Sequence, residues 1–300
     1  MRVFVTGAAG HIASALIPEL IEEGHSVTGL VRSDEAEETV AAYGAVAVRG
    51  DVADLDLIQR LSVQSDGVVH LALVDRRQMR SGNMADAAQS QREVVRALGD
   101  ALAGTNRPLV TASAIGALGA LGRPSTEADA AGHGFSEEEV ISLASRGVRS
   151  SIVRLPPITH SILDRNGFAP TLIGIARRTG VAGFVGDGAN RWPAVHTLDA
   201  AHLFRLALEN ADPGTRWHAV SDEGVPIRDI AQSIADHLDI RSASVPDDQL
   251  QEHFGFLAAL IGLDLPSTSL VTGEKLGWLP EHPGLLADLA ADFYFTTPTA

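Results

Sequence analysis

Cysteine is absent from this 300-residue chain. That excludes a disulfide framework, a thiolate metal site and a cysteine nucleophile. Lysine occurs once, at Lys275, and tyrosine twice, at Tyr43 and Tyr294. Positive charge is scarce: 23 Lys+Arg against 38 Asp+Glu leave a net charge of −15. Binders of duplex nucleic acid or of anionic membranes need a basic face, so both classes are disfavoured. No stretch approaches the roughly 18 uninterrupted apolar residues of a membrane span. The opening run Val3-Phe4-Val5-Thr6 is too short for a signal-peptide core, because Gly7 follows at once. A cytoplasmic chain that works on a small molecule, without nucleic acid or membrane, is the expectation. No repeat or low-complexity tract is visible.

What the chain does have is alternation. Short apolar runs at 2–6, 26–31, 45–48, 67–71, 108–113 and 148–154 read as strands. Helical patterns lie between them, from His11 to Glu23, after Ser33 or Asp34, from Asp54, over 84–103, and from a capping box of Ser136 and Glu139 to Arg146. Strands alternating with helices of this length give a parallel sheet covered on both faces. A glycine turn after the first strand fits the doubly wound α/β, or Rossmann, fold. The pattern changes after Pro156-Pro157, where helices are expected at 168–179, from Leu198, and at 227–238, 247–261 and 283–292. We therefore expect a sheet domain over 1–155. A smaller substrate lobe takes most of 156–300, and part of it, near 180–220, returns to the main sheet.

The most informative stretch is Thr6-Gly7-Ala8-Ala9-Gly10-His11-Ile12-Ala13. A dinucleotide-binding turn needs small residues for a tight bend, for close approach of backbone amides to a diphosphate, and for helix–strand packing. Gly7, Gly10 and Ala13 supply them at three-residue spacing. Gly7, Ala9, Gly10, His11 and Ile12 then surround an anion at the helix amino end. The tip of the second strand reads Leu30-Val31-Arg32-Ser33. No carboxylate stands there for the free ribose of NAD, and Arg32 offers a planar fork for the 2′-phosphate of NADP. NADP is favoured over NAD, although Asp34 two residues on counts the other way.

Taken with Gly50-Asp51-Val52, Val69-His70-Leu71-Ala72 and Arg154-Leu155-Pro156-Pro157, this loop resembles the successive motifs of the extended and atypical short-chain dehydrogenase/reductases, the group of NAD(P)-dependent epimerase/dehydratase-like proteins. Gly186-Asp187-Gly188 and Val195-His196 to Ala200-Ala201 are similar to the group's carboxyl-lobe pattern. The resemblance implies that Asp51 and Val52 flank the adenine. It implies that Leu71, Ala72 and Leu73 line the ribose and diphosphate, and that Pro156, Pro157 and Ile158 lie near the nicotinamide.

Most members of that group use a Tyr-x-x-x-Lys pair. Here the one lysine is preceded four residues earlier by Val271, so the pair cannot be written. The serine that accompanies it does match, as Ser113 at the carboxyl edge of the fifth strand. Alignment on Glu137 places Asp129 and His133 at the dyad positions; a second alignment places Phe135 there. Hydride transfer to a carbonyl creates an alkoxide that needs a proton or hydrogen bond. Ser113 can donate, and His133 titrates near neutrality, so this pair is the candidate replacement; a surface role for His133 is the plainer reading. His70 reads as a packed residue, His11 as a cover on the cofactor, and His160 and His196 as cleft-facing. Asp75-Arg76-Arg77 suits either a polar substrate group or a solvated charge cluster. The histidines are scattered, so no metal is expected. No Gly-x-Ser-x-Gly elbow supports an esterase.

These readings favour an NADP-preferring oxidoreductase of a small carbonyl or alcohol, with a non-standard proton donor. The alternatives are an epimerase/dehydratase-type enzyme on the same fold and a nucleotide-sensing protein without turnover. Phe168, Phe184, Trp192, Phe254, Phe256 and Trp278 are either core or pocket wall of the second lobe. The helix at 84–103 and the one from Ser136 offer faces for a homodimer. Their charged outer residues Arg92, Glu93, Arg96 and Glu137-Glu138-Glu139 suit a monomer equally.

Overall fold

The computed structural model describes residues 1–72, 84–131 and 137–296. Leu73, the Asp75-Arg76-Arg77 cluster, His133, Phe135 and the Ser136 cap lie outside them. The first half runs β1 (Arg2–Thr6), α1 (His11–Glu22), β2 (Ser26–Val31), α2 (Asp34–Ala42), β3 (Val46–Arg49), α3 (Leu55–Val63), β4 (Gly67–His70), α4 (Met84–Leu102), β5 (Pro108–Ala114), α5 (Glu137–Ser142) and β6 (Arg149–Leu155). After it come β7 (Ile158–His160), α6 (Phe168–Thr179), β8 (Val181–Phe184), β9 (Arg191–His196), α7 (Thr197–Asn210), β10 (Thr215–His218), β11 (Asp222–Pro226) and α8 (Ile227–Leu238). The chain ends with β12 (Arg241–Ser244), α9 (Leu250–Phe254), α10 (Leu270–Leu276), α11 (Leu285–Leu289) and α12 (Phe293–Thr296).

The main sheet has the order β3-β2-β1-β4-β5-β6-β10, and every pair in it is parallel. Its residues alternate between two covered faces. Val3, Val5, Val69, Val110 and Val153 point into one core, where they meet Leu16, Ile17 and Leu20 of α1 and Leu203, Phe204 and Leu208 of α7. Phe4, Val68, Leu109 and Ile152 point the other way, to Val94, Val95, Leu98 and Leu102 of α4. Strands buried on both sides read as continuous apolar runs, which is why they were legible. Truncating a fully buried side chain such as Phe4 costs roughly 3–5 kcal/mol. The strand order reverses between β1 and β4, and ligands of such sheets sit at that switch, outside the carboxyl ends of the strands.

A second core joins α6, α8 and two small sheets, β11-β9-β7 and β12-β8. Trp192 and Phe254 are buried in it, while Phe256 is exposed. Trp278 instead packs into the first core. Residues 197–219 also serve the first core, and β10 adds the seventh strand beside β6. Three expected helices are shorter than the sequence suggests. The stretch 247–261 breaks into a 3-10 turn, α9 and a second 3-10 turn, because Gly255 takes φ +58°. Residues 283–292 keep only α11, and the helix expected to reach Arg146 tightens to a 3-10 turn after Ser142. Among the described residues, no helix is long and apolar enough to cross a membrane.

Candidate active site

The glycine turn is built as the sequence requires. Gly7 takes φ +69°, and a Cβ there would stand 2.9 Å from the backbone nitrogen of Ala72. No other residue fits both conditions. Gly10 N–H donates to Gly7 O at 2.9 Å, and Gly10 caps α1 without any side-chain hydrogen bond. The first amides of α1 therefore have no partner from a capping side chain and present the positive end of the helix dipole. A cradle of this shape and donor set fits a diphosphate. Ala9 is exposed, His11 and Ile12 are half-buried, and Ala13 is buried against the sheet.

At the far rim, Arg32 directly follows β2 and Arg49 ends β3. Val31 and Arg49 are register partners, so Arg32 lies one position beyond the partner of Arg49. Arg32 is 75 % exposed and stands 3.9 Å from Asp51, while Arg49 bonds Asp34 at 3.0 Å. Asp34, the residue that counted toward NAD, is thus occupied by Arg49. Val52 is buried, Leu71 and Ala72 are half-buried beside the turn, and Pro157 is half-buried. Pro156 is buried, and Ile158 is fully buried in the second core.

Ser113 stands at the carboxyl end of β5, where the sequence places it. Its hydroxyl donates to Glu137 Oε1 at 2.6 Å. Arg154, on β6 and 0 % exposed, grips the same carboxylate in two bonds, Nε to Oε1 at 3.0 Å and NH2 to Oε2 at 2.6 Å. Its remaining donors reach Asp129 O at 2.7 Å and His218 Nε2 at 3.2 Å. Burial pushes the Glu137 carboxyl up; the Arg154 and Ser113 hydrogen bonds and the Arg154 and Arg216 charges outweigh it and hold it below the ordinary range. His218 receives Arg154 at Nε2, so its Nδ1 carries the hydrogen that reaches Thr268 O at 2.8 Å. Burial keeps this ring neutral, with a pKa pushed down to about 4. Glu137 corrects the sequence reading, which set it on an outer helical face. It is 3 % exposed.

The histidines correct another expectation, because the fold gathers four of them where the lobes meet. His11 Nε2 lies 2.9 Å from Thr197 Oγ1. Thr197 donates its own hydrogen to His160 O at 3.0 Å, so His11 must be the donor and its Nδ1 carries the lone pair. That lone pair faces Asp164 Oδ1 at 3.9 Å. His160 Nδ1 meets Asp288 at 2.7 Å, while its Nε2 is buried without a hydrogen-bond partner. His282 Nδ1 meets Asp199 at 2.7 Å and stacks on His196, with 4.7 Å between ring centres and 8° between planes. His196, Asp199 and His282 bring potential ligand atoms within 4.8 Å of one another. Parallel stacked rings direct their lone pairs along parallel planes, however, and His196 Nδ1 already accepts from Leu198 N–H at 3.2 Å. The arrangement does not converge on a cation. His70 is packed as expected, between Thr6 and Gln91.

A model of the NAD dependent epimerase/dehydratase family matches residues 3–220. The chain is 42 % identical over 300 residues to "Uncharacterized protein C2A9.02" of Schizosaccharomyces pombe, covering 98 % of this chain and 100 % of that protein. It is 27 % identical over 243 residues to a 4-hydroxy-2-methyl-3-oxo-4-farnesyl-3,4-dihydroquinoline-1-oxide ketoreductase of Stigmatella aurantiaca, covering 76 % of this chain and 70 % of the ketoreductase. Among solved structures it resembles DesIV, a dTDP-glucose 4,6-dehydratase of Streptomyces venezuelae with NAD and TYD bound. The TM-score is 0.76 at 19 % identity, covering 97 % of this chain and 95 % of DesIV.

Proposed function

The chain belongs to the NAD dependent epimerase/dehydratase family, and from that premise we propose that it is an NADP-preferring oxidoreductase interconverting a small carbonyl compound and its alcohol. The observation that carries this reading is the pairing of an uncapped α1 behind Gly7 with the Ser113 hydroxyl at the same edge of one sheet. The dinucleotide supplies or accepts the hydride. Backbone amides of His11 and Ile12 hold its diphosphate, and Arg32 faces the 2′-phosphate. Likeness to a protein named as a ketoreductase supports a carbonyl substrate.

The Ser113 hydrogen is committed to Glu137, and this sets its role. Its oxygen is left to accept, which suits the hydroxyl of an alcohol better than a bare carbonyl. The ionised Glu137 is held by Arg154 and is a poor proton store, so Ser113 orients the substrate while His133 exchanges the proton. A specific observation also favours the second reading, a nucleotide sensor: with its hydrogen engaged, Ser113 is not poised to donate to a carbonyl.

Fluorescence titration with NADPH and NADH tests the cofactor. NADPH is expected to bind more tightly, with Arg32→Ala removing about tenfold of that preference, the value of one charge-assisted contact. Equal affinities would overturn the preference. Turnover on a carbonyl panel tests the chemistry, with Ser113→Ala and His133→Ala each lowering kcat by roughly 10²-fold. Unchanged rates in both variants would remove the catalytic assignment, and tight binding without turnover would select the sensor.

A further inference from the structure

The His11–Asp164 contact has no part in the hydride chemistry, yet it joins the first residue of α1 to the second lobe. We propose that the diphosphate of a bound dinucleotide draws a proton from solvent onto the His11–Asp164 pair, so that binding is tightest in mildly acidic solution. The inference rests on the dinucleotide reading above and adds a proton to it.

The argument begins with geometry. His11 stands at the first position of α1, and its ring bonds Thr197. The hydrogen-bond chain fixes a bare Nδ1 opposite Asp164 Oδ1, at a separation one small side-chain movement from a hydrogen bond. The Asp164 side chain is fully buried. Gly167 N–H and Tyr294 O–H donate to it at 2.8 and 3.2 Å, and no cation with a permanent charge pairs with it among the described residues. The other titratable groups facing the pair are His160 from β7, His196 before α7, and Asp288 and Tyr294 from the carboxyl-terminal segment. Asp288 is engaged by His160.

The charges then decide the sign. A buried carboxylate beside an arriving diphosphate is a like-charge contact in a medium of low dielectric. One proton shared between His11 Nδ1 and Asp164 changes the pair from −1 to neutral and removes that repulsion. The free pair is set to respond. Burial pushes Asp164 up to about 6, and burial with the His160 and His196 charges pushes His11 down to about 4. The anion raises both. The proton taken up on binding is therefore held below the pKa of the complex and lost as pH rises through it.

Calorimetric titration of the full chain at pH 7, in two buffers of different ionisation enthalpy, reads the uptake directly. The probes are ADP-ribose and NADH, since the 2′-phosphate of NADPH titrates near 6 by itself. We expect about half to one proton taken up per dinucleotide, and a Kd that rises by up to tenfold per pH unit above neutrality. Asp164→Asn and His11→Gln, which keeps a donor for Thr197, should each abolish the uptake. The imidazole resonances of His11, followed by NMR against pH, should move to a higher pKa with ADP-ribose; this keeps the test alive if Asp164→Asn does not fold. Binding without proton uptake, uptake that survives both variants, or an unmoved His11 would overturn the proposal and leave the cofactor reading intact. Failure of ADP-ribose, NADH and NADPH alike to bind would overturn the two together.

Discussion

Two buried polar clusters flank the crevice, and they hold their charge in different ways. At the β5–β6–β10 edge, Arg154 carries a permanent charge and Glu137 answers it with two bonds, so the charge state is fixed across the physiological range. At the lobe junction the members are imidazoles and carboxylates: His11, His160, His196 and His282 with Asp164, Asp199 and Asp288. The first cluster sets geometry for Ser113. The second ties the glycine helix, α7 and the carboxyl-terminal segment together through imidazole–carboxylate contacts, of which the His11–Asp164 pair is the one set to respond to pH. A rigid positioning device and a titratable joint are thus built on one sheet edge.

The comparison is broken most severely at Arg154. Glu137→Gln leaves a buried guanidinium without its counter-charge and should cost about 3–5 kcal/mol, measured by denaturant unfolding. The double variant Arg154→Met with Glu137→Leu should recover much of that loss, because apolar replacement removes the desolvation cost with the pair. If the double variant is as unstable as the sum of the singles, the pair is not acting as a unit.

The joint is sharpened by pH. His11, His70 and His218 are each pushed down to about 4 from an ordinary 6.5, so each destabilises the fold as pH falls between those values. Asp164 is pushed up to about 6 from 3.8 and works in the opposite sense, stabilising the fold as pH falls through that window. Between pH 6 and 4 these histidines, joined by His196 and His253, which burial also lowers, outweigh Asp164, and stability should fall as pH falls, by roughly one to a few kcal/mol over the window. Unfolding midpoints measured across that range check the slope. In Asp164→Asn the opposing proton is gone, and the slope should steepen. The smallest effect belongs to His282→Asn. Its side chain is 38 % exposed, and loss of its bond to Asp199 should cost about 1 kcal/mol or less by thermal unfolding.

Much of this fold could be read from the chain because its signals are local. The run Val3 to Thr6, the small residues Gly7, Gly10 and Ala13, and the serine closing β5 announce themselves within a few positions. The Ser33 cap is equally local, accepting from Ala36 N–H at 3.2 Å. Glu137 was misread for the converse reason. Three consecutive glutamates look like a solvated face, and nothing nearby signals that the first of them meets Arg154 on the next strand. The histidine joint is wholly non-local: His11 and Thr197 are 186 positions apart, His160 and Asp288 are 128, and His282 and Asp199 are 83. No periodicity or spacing encodes such meetings; only the closure of one lobe on the other creates them.

The placement of β10 has a consequence for how the polypeptide matures. The seventh strand of the main sheet is made only after the chain has passed through α6, β8, β9 and α7. A ribosome that has released the first 155 residues has therefore exposed an unfinished border, the free side of Arg149–Leu155, with its row of unpaired amides and carbonyls. Some sixty more residues must emerge before Thr215–His218 seals it, several seconds at ordinary rates of synthesis. During that interval the nascent protein is at its most vulnerable to pairing with a neighbour, and Arg149, whose partners Leu208 and Ala211 are not yet made, leaves one charge at the start of the open strand.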